Sequence, residues 1–309
     1  MGRYIAWQVP VVPLAVVLAG CSSNGEVGGD SESPSAPGAS ESSAAAAAPG
    51  PAAEKAATAY KAYAIAQADE LVSAVKTLTD AVRASDLQAA QDAYAPSRLP
   101  WERIEPLAGL VGEIDGRVDA RVEDFADVDD PAFTGWHRLE YLLFSQNTTE
   151  GGAQFADQLD ADVATLRKQL PTVDVRPVDV STGAAELIEE VSEGKITGEE
   201  DRYSKTDLWD FEANLQGSEA AVNRLSPALV KADPALLGTI EAGFSEISAT
   251  LGPLRRGDGF VLFCTENDPY PSPRCPEVTV DPATIDTMKA QLAGLSENLS
   301  QVSGALKLT

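Results

Sequence analysis

Apolar side chains recur every three or four residues along two long stretches, one near each end of the chain. The first stretch starts near residue 53, and its face consists of Tyr60, Tyr63, Gln67, Leu71, Val75, Leu78 and Val82. The second follows Asp281 and Pro282, and its face consists of Ile285, Met288, Leu292, Leu295, Leu299, Val302 and Leu306. This spacing predicts two amphipathic helices, the first about thirty residues and roughly 45 Å long. Aspartate followed by proline is typical of a helix start, so we expect Asp281 to cap the second.

Shorter stretches with the same spacing lie between these two helices. One starts at Asp233 and Pro234. The others cover residues 86–95, 133–147, 152–170, 180–194 and 206–231. The alternation typical of β-strands is nearly absent, and the one candidate, residues 259–263, is too short to form a sheet. The pattern therefore predicts an all-α domain of long antiparallel helices.

The N-terminal fifty residues have a pattern typical of exported proteins. Arg3 precedes an apolar run over residues 9–19, which is too short and too interrupted by proline for a membrane span and predicts a signal peptide over residues 1–20. The motif Leu-Ala-Gly-Cys that ends at Cys21 resembles the lipobox of bacterial lipoproteins, in which the cysteine carries acyl chains. An ordinary cleaved signal is the alternative. We expect the protein to be exported and lipid-anchored to the outer face of the cell membrane.

A flexible tether is predicted between the lipid anchor and the folded part of the chain. Residues 21–52 are rich in Ser, Gly, Ala and Pro and have no periodic apolar positions. We therefore place the helical domain at residues 53–309. Export also implies an oxidising compartment, so Cys264 and Cys275, in the segment CTENDPYPSPRC, are predicted to form a disulfide. A cysteine-based metal site is disfavoured because no other Cys or His lies nearby in the sequence.

The charge balance is strongly acidic. The chain has 23 Lys and Arg against 48 Asp and Glu, a formal net charge of −25. Such a charge repels nucleic acid and attracts cations, so we expect a metal ion rather than a nucleic acid as ligand. The alternative is that the charge only keeps the protein soluble.

The acids are concentrated in two segments that contain few bases. Ten lie between Glu102 and Asp130, and eleven lie between Glu186 and Glu219, with three bases in each segment. Charges on a solvated helix face are usually paired with opposite charges three or four residues away. Either these acids repel one another in water or something positive lies among them. A solvated surface with scattered arginine pairs remains the alternative.

The single histidine of the chain, His137, lies in the apolar segment FTGWHRLEYLLF. Glu140 follows at the i+3 position, so the two side chains share one face of a buried helix. A carboxylate there is costly unless it is paired or binds a metal. The alternative is that an arginine pairs with Glu140 and a backbone carbonyl accepts from His137. Glu102 and Glu105 have the same i+3 spacing, at a helix end that Pro106 defines.

One histidine excludes several kinds of site. The H-E-x-x-H zinc protease motif, a three-histidine zinc site and the two-histidine iron(II) oxygenase site all need more. The chain also has no G-x-S-x-G elbow, Walker loop or dinucleotide-binding glycine motif. What remains is a site with many oxygens and at most one nitrogen, which suits a hard cation such as iron(III) or manganese.

Three segments carry a resemblance to a known family. YAPSRLPWERIEP, FTGWHRLEYLLF and GKITGEEDRYSKTDLWDFEANLQGS resemble the imelysin-like domain of the EfeO/EfeM family, in this order and within residues 53–309. The resemblance implies two four-helix bundles with a metal bound in the cleft between them. It implies as metal ligands His137, Glu140, Glu102, Glu105, Asp119 and Glu200, with Glu199 as the alternative to Glu200.

The same resemblance implies a function. The family members are exported components of EfeUOB-like uptake systems that capture iron, ferric or ferrous, for a membrane permease, alongside peroxidase-type components. Manganese, zinc and copper are the alternative metals. Lys205 stands where the family often has a histidine, which removes a nitrogen ligand, and the tether stands where longer members have a cupredoxin-like domain. We therefore expect a metal-binding protein rather than an enzyme. The alternatives are a metallopeptidase of the imelysin group and an adhesion or scaffold module.

Overall fold

The computed structural model describes residues 50–308. The predicted signal peptide, Cys21 and the predicted tether up to residue 49 lie outside the described residues. The description begins with a helical hairpin, in which α1 (Pro51–Arg83) is followed after three residues by α2 (Leu87–Glu102). Ser85, with φ of 58°, lies in the turn. The buried face of α1 includes Gln67, whose amide oxygen accepts from Arg103, which explains the one polar position in the apolar pattern.

Seven further helices complete the described part of the chain. They are α3 (Gly112–Val118), α4 (Gly135–Glu140), α5 (Ala153–Gln169), α6 (Pro177–Glu193), α7 (Asp207–Ala232), α8 (Pro234–Leu251) and α9 (Pro282–Leu306). Short 3₁₀ turns join several of them, at Glu105–Leu110, Val122–Asp124, Leu170–Thr172, Lys195–Thr197 and Gly252–Leu254. A two-residue ribbon, β1 (Arg255–Arg256) with antiparallel β2 (Gly259–Phe260), is the only strand pair within residues 50–308.

The helices pack into two groups that share α7. Helices α2 and α5 both pack on α1, and α1 and α2 pack on α7. Helices α6 and α8 both pack on α9, and all three of these helices pack on α7 as well. One continuous apolar core runs through both groups. The predicted all-α class is therefore confirmed, and α1 and α9, whose apolar faces the periodicity identified, each contact the other helices of their group.

Most predicted helix starts and ends lie within a few residues of the observed ones. Asp281 accepts from the backbone N–H of Thr284, and Asp233 accepts from that of Leu236, so both predicted caps are present. Three details differ. Helix α2 continues past residue 95 to Glu102, α3 is a helix that the apolar pattern does not predict, and the start of residues 259–263 pairs in the small ribbon. Within residues 50–308, no helix is long and apolar enough to cross a membrane.

Candidate metal centre

The C-terminal end of α2 carries the first part of the site. Pro96 and Pro100 lie inside this helix and provide no backbone N–H, and the helix ends at Glu102. Arg98 and Glu102 are one turn apart and fully buried, with Arg98 Nη2 2.5 Å from Glu102 Oε1. Glu105 begins the following 3₁₀ turn. Glu102 and Glu105 therefore do not share a helix face as predicted, because the helix ends between them.

Helix α4 brings the histidine into the core. It starts at Gly135, where φ is +77° and a Cβ atom would lie 2.2 Å from the carbonyl oxygen of Val118. Only glycine allows this close approach of α4 to the end of α3, where Asp119 lies. Trp136 is fully buried, and its indole N–H donates to Ser97 of α2. Helix α4 continues as a π-helical turn over Tyr141–Ser145, a feature often found at functional sites.

Glu140 holds both the imidazole of His137 and the loop before α7. Its Oε2 lies 3.1 Å from His137 Nδ1. Its Oε1 accepts from the backbone N–H groups of Tyr203 and Ser204, at 2.8 and 2.7 Å. Both carboxylate oxygens of Glu140 are therefore occupied. With Nδ1 donating to Glu140, the other ring nitrogen, Nε2, faces the remaining groups of the site and is the nitrogen available to a metal once it has lost its proton.

The Nε2 atom of His137 faces two carboxylates from different parts of the chain. Asp119 Oδ1 lies 3.3 Å away, and Glu200 Oε1 lies 3.8 Å away. Ligand atoms of His137, Asp119 and Glu200 all lie within 4.8 Å of one another. Two further groups in the described part of the chain meet the same criterion, His137 with Glu140 and Asp201, and Glu102 with Glu200 and Asp210. One imidazole nitrogen and several carboxylate oxygens thus converge on one place.

The guanidinium of Arg98 lies at the point where these groups meet. Nη1 lies 2.5 Å from Asp119 Oδ1, and Nη2 lies 2.7 Å from Glu200 Oε1. Nε lies 3.2 Å from Asp210 Oδ2 and 3.8 Å from Asp201 Oδ1. The positive charge expected among the acids is thus, in part, a side chain of the protein itself.

A second cation, the ammonium group of Lys195, binds the other side of the acid cluster. Its Nζ lies 2.9 Å from both oxygens of Glu105 and 3.1 Å from Glu102 Oε2. The amide of Asn214 also donates to both glutamates. Lys195 Nζ also lies 3.6 Å from Glu200 Oε1, so Lys195 and Asn214 connect Glu105 to the histidine side of the cluster.

Carboxylates outnumber cations in this buried cluster. The cations are Arg98 and Lys195, with Arg121 at the edge, where its Nη1 contacts Glu200 Oε2. The carboxylates are Glu102, Glu105, Asp119, Glu140, Glu200, Asp201, Asp207 and Asp210. Burial raises the pKa of Asp207 and of Asp210 well above the ordinary value. One oxygen of each, Asp207 Oδ2 and Asp210 Oδ1, has no hydrogen-bond partner among the described residues.

The ionisation of the groups around His137 follows from their contacts. Burial and the nearby Arg98 lower the pKa of His137, but Asp119, Glu140 and Glu200 outweigh them and raise it well above its ordinary value. Burial raises the pKa of Asp119, but Arg98 and His137 bring it below the ordinary range. The pKa of Glu200 is lowered in the same way by Lys195, His137 and Arg98 against the effect of burial. Both carboxylates that face Nε2 are therefore ionised, as metal ligands must be, whereas the imidazole of His137 is protonated until a metal displaces the proton from Nε2.

A cavity of about 710 Å³ leads from the surface to these two carboxylates. Asp119 and Glu200 line it and also face the histidine. Its other acidic lining residues are Glu105, Asp115, Asp124, Asp179, Glu186 and Glu190, and Arg121 is the one basic lining residue. Carboxylates that line one concave surface concentrate cations there. The cavity therefore favours the approach of a cation to Asp119 and Glu200.

The structure brings together four of the six predicted ligands directly. Asp119, Glu140 and Glu200 each have an oxygen within 4 Å of a ring nitrogen of His137, while Glu102 is joined to this group by Arg98. Glu105 belongs to none of the three groups that could hold a metal in the described part of the chain. Glu199, the alternative to Glu200, is partly exposed and pairs with Arg121 at 3.6 Å.

Lys205 forms its ion pair outside the acid cluster around His137, although its charge offsets part of the rise in the pKa of Asp207. Its side chain is fully buried, and Nζ lies 2.6 Å from Asp268 Oδ2. Asp268 belongs to the segment that the disulfide between Cys264 and Cys275 closes. Arg274 of the same segment donates to the carbonyl of Ser204. The disulfide-closed segment therefore packs on the loop that carries Glu200 and binds Glu140.

The pattern of the sequence did not identify the cations of this site. Arg98 lies in the quoted segment YAPSRLPWERIEP, four residues before Glu102, and this i, i+4 spacing is the one signal that would have paired them. Lys195 pairs with Glu105 across 90 positions of sequence, and Arg98 pairs with Asp210 across 112. Asp201, Asp210 and Asn214 reach the site from a distant segment in the same way.

Comparisons with known proteins agree with the motif resemblance. The imelysin family model, peptidase family M75, matches residues 56–302. The chain is similar to the iron uptake system component EfeO of Escherichia coli K12, with 44% identity over 254 residues, which is 82% of this chain and 64% of the relative. The proteins of the same name from Escherichia coli O157:H7 and Shigella flexneri have the same identity and coverage. The chain thus spans slightly less than two thirds of the length of these relatives.

Proposed function

The chain belongs to the imelysin family, and on that premise we propose that it is the extracytoplasmic iron-binding component of a bacterial iron uptake system. In this proposal the protein is a carrier rather than an enzyme, and iron is its cargo. The metal is held by His137, Asp119 and Glu200, and Glu140 orients the imidazole. Glu102 and Glu105 stabilise the cations that surround the site.

The observation that supports this assignment best is the arrangement around His137 Nε2. A histidine that donates from one ring nitrogen to a carboxylate and presents the other to further carboxylates has the usual geometry of a metal-ligating histidine. Here Glu140 lies 3.1 Å from Nδ1, and Asp119 and Glu200 face Nε2. The acidic cavity adds a route by which a cation reaches these atoms.

Iron is the metal that we assign first. One nitrogen and several carboxylate oxygens suit a hard or borderline cation, and the name of the similar proteins refers to iron. Manganese, zinc and copper bind to the same kinds of donor and are the competitors to be measured. Ferric and ferrous iron differ in charge, and the excess of buried carboxylates favours the ion of higher charge.

Calorimetric titration with ferric iron, presented as a weak chelate, and with manganese tests this proposal. We expect the wild-type protein to bind about one ion per chain and the variants His137→Ala and Asp119→Asn to lose at least about tenfold in affinity, as loss of a metal ligand does. Asp129→Asn, which removes an exposed carboxylate, is the matched control and should bind as the wild type does. Equal affinity in His137→Ala and wild type would refute the site.

We further propose that Cys21 is lipidated and that the protein delivers iron to a membrane permease, together with a peroxidase-type component. The support is the Leu-Ala-Gly-Cys motif, which lies outside the described residues, and the name of the similar proteins. Expression of Cys21→Ser in a bacterium tests the anchor. We expect the variant to leave the membrane fraction, and retention at wild-type level would contradict the proposal.

Peptidase activity is the alternative suggested by the name of the family model. The geometry does not favour it, because both oxygens of Glu140 are already bound, so the carboxylate closest to His137 Nδ1 is not free to act as a general base. Incubation of the metal-loaded protein with casein distinguishes the two functions. We expect no cleavage, and cleavage that Glu140→Gln abolishes would establish the peptidase.

A further inference from the structure

Arg98 is the residue whose position the proposed function does not explain. A fully buried arginine normally has a structural partner, yet this guanidinium contacts members of all three groups of possible metal ligands in residues 50–308. It also lies 5.6 Å from the centre of the ring of Trp136, the residue before His137 in helix α4. Its role has to be considered together with that of the metal.

The guanidinium and the proposed metal use the same oxygen atoms. Asp119 Oδ1 lies 2.5 Å from Arg98 Nη1 and 3.3 Å from His137 Nε2. Glu200 Oε1 lies 2.7 Å from Arg98 Nη2 and 3.8 Å from the same imidazole nitrogen. A metal ion bound to both oxygens and to Nε2 would lie within a few ångströms of the guanidinium, where two positive charges repel strongly in a buried site. The two cations therefore compete.

A second position for the guanidinium exists next to its present one. Nε of Arg98 already faces Asp210 Oδ2 at 3.2 Å and Asp201 Oδ1 at 3.8 Å. The other oxygen of Asp210, Oδ1, is buried and has no hydrogen-bond partner among the described residues. A guanidinium that turned toward Asp210 would bind both of its oxygens side by side, the strongest arrangement for an arginine and a carboxylate. This would leave Asp119 and Glu200 to the metal.

We propose that Arg98 is an internal counter-ion that neutralises Asp119 and Glu200 in the metal-free protein and moves onto Asp210 when the metal binds. This inference rests on the proposed function, since it concerns the same site. It assigns to Asp210 the role of binding Arg98 in the metal-bound protein, rather than the role of a metal ligand. It also sets the affinity, because every binding event includes the cost of moving Arg98.

A double-mutant cycle measured with manganese as the probe tests the proposal. Arg98→Gln should bind at least about tenfold more tightly than wild type, because the competing charge within a few ångströms of the metal is gone. Asp210→Asn should bind manganese at least about fivefold more weakly, because a neutral amide binds a guanidinium less strongly than a carboxylate does. In the double variant the effect of Asp210→Asn should vanish, since there is no longer an arginine to move.

Arg103→Gln is the matched control. Arg103 lies just after α2 and contacts the amide oxygens of Gln216 and Gln67 rather than the acids of the site. Its loss should change manganese affinity by less than about twofold, because this half-buried charge contacts none of the acids of the site and is partly screened by solvent. Equal or weaker binding in Arg98→Gln, with wild type binding normally, would overturn the proposal and leave the metal site standing. An equal loss on Asp210→Asn with and without Arg98 would make Asp210 a ligand and also overturn it.

Arg98→Gln leaves several buried carboxylates without a partner, so a measurement on the wild-type protein accompanies the cycle. Crystal structures without metal and with manganese compare the two positions directly. We expect the guanidinium to contact Asp119 Oδ1 without metal and both oxygens of Asp210 with it. A guanidinium still bonded to Asp119 in the manganese complex would overturn the proposal. Absence of manganese binding in both wild type and Arg98→Gln would instead refute the metal site itself.

Discussion

The Nδ1 atom of His137 lies 3.1 Å from Oε2 of Glu140, one helical turn further along α4. This pair orients the only imidazole of the chain and, through the second oxygen of Glu140, fixes the backbone of the loop that carries Glu200. One carboxylate thereby connects two parts of the site that are far apart in sequence, since Tyr203 lies 63 residues after Glu140.

Glu140→Gln should therefore destabilise the protein although it changes the size of the side chain very little. The two backbone N–H groups and the imidazole lose a charged acceptor, and hydrogen bonds to charged groups are worth about 1.5–3 kcal/mol each. We expect the free energy of unfolding in urea to fall by about that amount. Glu150→Gln, an exposed glutamate ten positions further on, is the control. A loss no larger than that of the control would show that Glu140 does not hold the loop.

Gly135→Ala should displace α4 and weaken the site. Gly135 and Gly151 both have left-handed backbone, with φ of 77° and 75°, but only at Gly135 would a Cβ atom meet backbone, Val118 O at 2.2 Å. Gly151→Ala therefore measures the cost of placing alanine in left-handed backbone without a clash, which is about 1–2 kcal/mol of stability. We expect Gly135→Ala to lose about 1–3 kcal/mol more through forced strain and to bind metal more weakly, since His137 moves relative to Asp119. Equal melting temperatures for the two variants would contradict this.

Stability should depend on pH through Asp115, which lines the acidic cavity. Burial, followed by the charges of Asp119 and Glu190, raises the pKa of Asp115 to about 7 from its ordinary value of 3.8. Between about pH 4 and pH 7 the folded protein holds a proton that the unfolded chain has released. The contribution of Asp115 to the free energy of unfolding is therefore complete below about pH 4 and is lost as the pH rises through about 7. The free energy of unfolding, measured in urea, should fall less between pH 5 and pH 8 in Asp115→Asn than in wild type. The control is Glu113→Gln, whose exposed side chain lies on the same helix. Parallel pH profiles of Asp115→Asn and wild type would exclude this role.

Reduction of the disulfide between Cys264 and Cys275 should loosen the loop that carries Glu200. The bond closes a segment of 11-residue separation, and the loop-entropy relation gives about 2–3 kcal/mol for such a loop. We expect the double variant Cys264→Ser/Cys275→Ser to unfold at a lower urea concentration than wild type and to exchange amide hydrogens faster over residues 199–206. A reducing agent should shift wild type to the stability of the variant and leave the variant unchanged. Faster exchange only within residues 264–275 would show that the segment does not hold that loop.

The fold could be predicted from the sequence to the extent that each helix has its own apolar face. Helices α1, α8 and α9 have regular periodicity and side-chain or proline signals at their starts, and their predicted limits are close to the observed ones. Helix α3 is only seven residues long and rich in charge, so its pattern resembles a loop. The apolar pattern predicts an end of α2 that is too early, because two prolines interrupt it, although the tertiary packing keeps it helical.

The candidate site could be predicted only in part. His137 and Glu140 share a helix turn, so their proximity follows from local geometry, and the motif resemblance added Asp119 and Glu200. The cations could not be found in this way, because Arg98 and Lys195 reach carboxylates about 90–110 positions away, and such pairings depend on the packing of α2, α6 and α7. The same packing separates Glu105 from the histidine, which local spacing on the sequence could not reveal.

Anomalous diffraction from crystals soaked in iron tests the central claim most directly. The account predicts one strong peak at bonding distance, about 2.0–2.3 Å, from Nε2 of His137 and from oxygens of Asp119 and Glu200. A peak confined to the outer acids of the cavity, or none near the imidazole in a crystal whose other sites take up iron, would contradict it.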